Sequence, residues 1–267
     1  MQKINIGKIQ KYFAVFRFSF IHALRNYKTL IGLGIFLITC LIIFYHLWKV
    51  TAASMGADHL EPNRLLWYIA FNEWVLIALP DVQDDMEEDL QSGKLAYLLP
   101  RPISYLWSSF MEAAGVLCAR LIVLGLVAFS FAWIRTDEIP FSSGAFIMTL
   151  AIGTLAGCIA IIFKMFIGLS SFWVKQVEPF HWIWEKLLFS LGGLMLPLSV
   201  YPMWLQKIAY LTPFPLILGG RSALALDYTW SLAFSLFGSL FLWGILGASC
   251  LLFLYRTGLR IVHIEGG

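Results

Sequence analysis

The stretch TLIGLGIFLITCLIIFYHLWK, residues 29–49, carries no charged side chain before Lys49. A helix rises about 1.5 Å per residue, so roughly 20 such residues cover the ~30 Å hydrocarbon core of a bilayer. The run has no period-2 alternation, which excludes a barrel strand and leaves a membrane-spanning helix. Five further apolar runs follow at 63–80, 104–134, 144–174, 184–203 and 230–255. With 60% hydrophobic and only 13% charged residues, the chain lies far outside the range of soluble domains. The expected fold class is an all-α integral membrane protein of six transmembrane helices. Trp48, Trp67, Trp107, Trp133, Trp173, Trp182, Trp184 and Trp230 lie close to the run ends, where indole rings favour the headgroup region.

Loop charges set the orientation. A cytoplasmic N-terminus places Lys3, Lys8, Lys11, Arg17, Arg25, Lys28, Lys94, Arg101, Lys175, Lys186, Arg256 and Arg260 inside. Only Lys49, Arg64, Arg135, Lys207 and Arg221 then fall outside, as the positive-inside rule favours. Both termini are expected in the cytoplasm. The first 28 residues do not read as a cleaved signal: KIQKYFAVFRFSFIHALRNYK, residues 8–28, alternates bulky apolar with basic residues, as in a helix lying in the interface. The net charge of +3 is too small to argue for nucleic acid, and topology accounts for most of the basic residues. Cys40, Cys118, Cys158 and Cys250 sit singly in apolar runs and suggest neither disulfide nor metal site.

Against this background DVQDDMEEDLQSGKLAYLLPRP, residues 81–102, places six carboxylates within nine residues, on the cytosolic side between the second and third runs. Asp81 suits a helix N-cap, Asp84 and Asp85 complement the N-terminal dipole, and Gly93 is a natural stop. Val82, Met86 and Leu90 form one apolar stripe, with Asp84, Asp85, Glu87, Glu88 and Asp89 on the remaining surface. Adjacent acids on a helix diverge and no calcium-loop spacing is present, which argues against a metal site. Two readings stay open: a solvated charged loop, and a docking surface for a soluble partner.

No GxxxxGK[ST], HExxH or GxSxG motif occurs, and His22, His46, His59, His181 and His263 are scattered. Catalysis within the chain is not expected. Glu73, Glu112, Arg120 and Lys164 are charged positions inside apolar runs, where an ionisable side chain is costly and usually faces a bundle interior or a cavity. An interspan ion pair and a polar pathway lining are the readings for Glu73 and Arg120; Glu112 and Lys164 could instead snorkel. Gly153 and Gly157 of GTLAG permit close helix approach. YPMWLQKIAYLTPFPLILGGRSALALDY, residues 201–228, is apolar but broken by prolines and a glycine pair, as in a partly inserted external hairpin at 204–229.

Together these features resemble the permease subunits of type 2 export-class ABC transporters of bacteria, over essentially the whole chain. DMEEDLQSGKLAYLLPRPISY, residues 85–105, is similar to that class's first cytoplasmic segment, with Leu95, Leu98 and Leu99 leading into Pro100 and Pro102. LGGLMLPLSVYPMWLQKIAYLTPFPLILGGR, residues 191–221, is similar to the stretch before its last span, here with Gly193, Pro197, Pro202, Trp204, Pro213 and Arg221. The ending YRTGLRIVHIEGG is similar to one bacterial branch in which two different permeases often accompany one ATPase. The resemblance implies a single permease domain over 1–267 in the bacterial inner membrane, working as a dimer with an identical or homologous second permease. It implies a separate cytosolic ATPase that holds ATP and Mg, with no cofactor in this chain. Residues 81–102 become its coupling segment, in which Asp84, Asp85, Met86, Glu87, Glu88, Leu90, Gly93 and Leu95 dock the ATPase. Two other classes are set against it: an intramembrane enzyme using Glu73 and Glu112 as acid and base, and an ATP-independent membrane scaffold.

Overall fold

Proline, glycine and isolated polar residues set where helices stop along this chain. The computed structural model describes residues 6–55 and 61–265, with side chains over 9–51 and 61–260. Lys3, Lys8, His59, His263 and the end of the 255–267 tail therefore lie outside the described residues or side chains. Every regular element among the described residues is helical. In chain order these are α1 (Ile6–Arg25), α2 (Tyr27–Met55), α3 (Pro62–Ala78), α4 (Val82–Gln91), α5 (Leu95–Leu98) and α6 (Tyr105–Thr136). After them come α7 (Ser143–Leu169), α8 (Glu178–Leu191), α9 (Met203–Tyr210), α10 (Phe214–Ile217), α11 (Gly219–Leu226) and α12 (Trp230–Glu265).

Five helical stretches are long and apolar enough to cross a bilayer: Tyr27–Thr51, Pro62–Gln91, Tyr105–Thr136, Ser143–Phe172 and Trp230–Arg260. The protein is thus an all-α, multi-span membrane protein. The second stretch joins α3 and α4, but Pro80 disfavours helical backbone at Leu79, whose ψ of 130° breaks the rod. At the other boundaries Asp137 closes α6 in the left-handed region (φ 54°), and the Ser142 side chain caps α7 by accepting from the Ala145 amide at 3.2 Å.

The run expected to span at 184–203 does not form one helix. Its helix starts earlier, at Glu178, and after 14 residues gives way to Gly192 and to Gly193, whose φ is +69°. Fourteen residues reach about 21 Å, short of a bilayer core. Pro197, Pro202 and Pro213 then stand at the starts of a 3-10 turn, of α9 and of α10.

α3 lies at the centre of the bundle and is buried along nearly its whole length, from Leu65 to Val75. Trp67 and Phe71 meet Phe129 of α6 and Phe141 and Phe146 at the start of α7 in one aromatic cluster; the Phe71 and Phe129 centroids are 5.0 Å apart. Small residues set the closest approaches. A Cβ on Gly157 of α7 would stand 2.8 Å from Leu117 of α6, and one on Gly153 would stand 3.1 Å from both Trp74 and Arg221. α1 is a helix separate from α2, broken at Asn26, and packs on α6 where Gly115 has no side chain to obstruct Phe16 and Phe20. It exposes Phe13, Phe18 and Leu24 together with Lys11, Arg17 and Arg25.

Candidate functional site

α4 carries the acidic stretch at the end of the bundle where α3 stops. Asp81 occupies the N-cap position, but its side chain makes no cap; one carboxylate oxygen accepts from Lys164 of α7 at 2.8 Å instead. The Lys164 ammonium also donates to the Pro80 carbonyl at 3.1 Å, and Arg120 of α6 donates to the Leu79 carbonyl at 3.1 Å. Two cations from the apolar runs thus converge on carbonyls that the end of α3 leaves unpaired, where the helix dipole is negative. That placement answers why a chain so apolar holds Arg120 and Lys164 at all.

The apolar stripe of α4 faces inward as its spacing requires. Val82 and Met86 are buried, Leu90 is half-buried, and Gly93 ends the segment with φ +70°. Gly168 of α7 is the seat: a Cβ there would stand 3.0 Å from the Gln83 backbone and from the Met86 Cβ. Asp84, Asp85 and Glu88 are exposed and Glu87 is half-buried. Asp89 differs from them, held by Lys94 at 2.6 Å and by the Tyr105 hydroxyl at 3.1 Å. The contact with Asp89 raises the Lys94 ammonium above the ordinary lysine value. Gln91 donates to the Lys175 carbonyl, tying the end of α4 to the loop after α7. Leu95, expected on the docking surface, is buried, as is Met86; both anchor the segment to the bundle.

The remaining charged candidates separate. Glu112 lines a recess of about 200 Å³ with Asp85, Glu88, Asp89 and Lys94, so it extends the acidic surface of α4. Glu73 is only 4% exposed and forms no ion pair with Arg120, which is turned to Leu79. It lines a cavity of about 450 Å³ between α2, α3, α7 and α8.

Arg221, read as part of a partly inserted outer hairpin, is fully buried on α11 among α3 and α7. Its guanidinium donates to the Phe71 carbonyl at 2.7 Å and to the Ile217 carbonyl at 3.4 Å, and lies 5.7 Å from the Trp74 ring centroid. Charge counting registers a cation's presence in a loop but not that carbonyls and an indole face can hold it in a bundle. Beside it Asn72 donates to the Gly193 and Leu194 carbonyls at 3.2 and 3.0 Å and accepts from the Ser222 hydroxyl at 2.6 Å, while Tyr68 donates to the Gly193 carbonyl. Tyr68 and Asn72 are one turn apart on α3 and share a face, a spacing visible in the sequence and not weighed there.

Residues 66–266 match the model of the ABC-2 family transporter protein. The chain belongs to the ABC-2 family. The matched region contains α4, the Arg221 network and the Glu73 cavity's α3, α7 and α8 walls, and stops short only of α1, α2 and the start of α3. Membership makes the protein a membrane transporter of permease type. No curated protein matches the chain. Among the described residues no group of three or more His, Cys, Asp and Glu side chains is arranged to hold a metal ion.

Proposed function

We propose that this chain is the transmembrane permease subunit of an ATP-driven ABC exporter. It works as a dimer with an identical or homologous permease and couples to a separate cytosolic ATPase through residues 81–99. The ATPase supplies the ATP and Mg site. The observation that carries this reading is α4: a short helix seated on α7 through Met86 and Gly168, with Asp84, Asp85 and Glu88 exposed. A solvated loop needs no such seat. A lever that passes motion from a soluble motor into a membrane bundle needs a rigid apolar attachment on one side and a polar docking face on the other. Only the carboxylates belong to that docking face; Met86, Leu90 and Leu95 transmit the movement.

Under the same reading, α8 and the hairpin α9–α11 together make the sixth crossing, which returns both termini to the cytoplasmic side of a bacterial inner membrane. α8 lines one cavity with Asp81 and ends where Gly193 meets Tyr68 and Asn72, alongside α3. The test is extraction of the tagged chain in mild detergent followed by identification of what accompanies it. A nucleotide-binding subunit with a P-loop is expected at a fixed ratio to the chain. Its absence from a folded, monodisperse preparation would remove the proposal.

A further inference from the structure

The carboxylate of Glu73 has no hydrogen bond or ion pair among the described residues, although it is 4% exposed. Adjacent residues on a helix are about 100° apart, so Asn72 meets the hairpin while Glu73 beside it meets the cavity. An ionised carboxylate away from water is costly unless it takes up a proton or something of opposite charge meets it. The cavity that Glu73 lines measures about 450 Å³, within the usual range for small-molecule sites. Most of its wall is apolar or aromatic, with Phe36 and Phe44 from α2, Leu76 from α3, and Trp184 and Leu188 from α8.

The other charged groups around this cavity are paired, apart from the exposed Lys186 at its edge. Lys164 is bound to Asp81 at 2.8 Å, Glu185 is bound to His181 at 3.1 Å, and Lys186 is exposed. Among the described residues Glu73 is therefore the buried charge of this wall that has no partner. We infer that the cavity between α2, α3, α7 and α8 binds a hydrophobic organic cation, its positive centre against Glu73 and its apolar body among Phe36, Phe44 and Trp184. Aromatic faces add to the attraction for a desolvated cation and do little for a strongly hydrated inorganic ion. The inference rests on reading the chain as a permease, for which the cavity is a cargo-holding site; it names the class of cargo.

Tetraphenylphosphonium and tetraphenylborate have nearly the same size and shape and opposite charge, so they isolate the electrostatic part of the claim. Titrated calorimetrically into the purified full-length chain in neutral detergent, the cation is expected to bind saturably at one per chain, with the anion about tenfold weaker or worse. Glu73→Gln should weaken the cation about tenfold or more, the scale on which losing one member of a buried charge pair acts, and leave the anion no weaker. Glu73→Asp should restore most of the cation's affinity. Cys40→Trp fills the cavity from α2 without removing the carboxylate, and should abolish binding even if Glu73→Gln proves unstable. Equal affinity for the two probes, cation binding unchanged in Glu73→Gln, or no saturable cation binding by the wild type would each overturn the inference. ATPase co-purification is scored on the same preparation. Accompanying ATPase without cation binding removes only this inference; Glu73-dependent binding without an ATPase removes only the permease reading.

Discussion

Arg221 and Asp84 are both charged residues of a predominantly apolar chain, and their surroundings are opposites. Arg221 has no exposure at all, and its guanidinium is taken up by main-chain carbonyls of α3 and α10 and by the face of Trp74. Asp84 is exposed, on a helix whose other face is seated on α7. The difference separates two uses of charge. In the hairpin it holds the fold together, so that a helix-breaking stretch stays attached to α3 where water cannot satisfy it. On α4 the Asp84 carboxylate has no hydrogen bond or ion pair among the described residues and adds little to the fold.

If charge has these two uses, substitutions should destabilise most at the hairpin. Asn72→Leu removes three hydrogen bonds at once and leaves the Ser222 hydroxyl and two carbonyls buried with fewer partners. It should cost about 3 kcal/mol or more, read as a large drop in the thermal unfolding midpoint in detergent. Next comes the seat of α4. Gly168→Ala drives a Cβ against the Gln83 backbone, which cannot rotate away, and should cost about 2 kcal/mol while loosening the attachment of the acidic helix. Proteolysis within residues 81–102 would then be faster than in the wild type, whereas an unchanged rate would mean that α4 is held by something else.

A smaller effect is expected where the two uses of charge meet. Lys164→Met strands Asp81, but that carboxylate's side chain is 62% exposed and water replaces much of the lost interaction. The loss should be about 1 kcal/mol, and a double-mutant cycle with Asp81→Asn should show coupling of about that size or less. The smallest effect on stability belongs to the acidic face itself: Asp84→Lys, Asp85→Lys and Glu88→Lys together should move the unfolding midpoint little, because surface charges each contribute within about 0.5 kcal/mol.

Much of this arrangement was legible in the sequence. Hydropathy located the long helices because a bilayer demands an uninterrupted apolar run, and the stripe Val82, Met86, Leu90 fixed the inward face of α4 because helix period does. The 184–203 run misled for a physical reason: hydropathy averages over Gly192, Gly193 and Pro197, which stop a helix without making it less apolar. Glu73 and Arg120 were open to pairing because both were charges at depth. Which faces of two helices meet depends on packing, and Arg120 instead serves the end of α3. Gly168 gave no signal of its own, since a glycine in an apolar helix acquires meaning only from the neighbour that approaches it.

Whether α4 carries its charge for a partner is decided by the amount of P-loop ATPase that co-purifies with the Asp84→Lys, Asp85→Lys, Glu87→Lys, Glu88→Lys variant, normalised to folded chain and set against Asn72→Leu and the wild type. The charge-reversed chain is expected to fold with a near-normal midpoint and to lose the ATPase. A charge-reversed chain that folds normally and retains wild-type ATPase binding and turnover would show that the acidic face of α4 is not the docking surface.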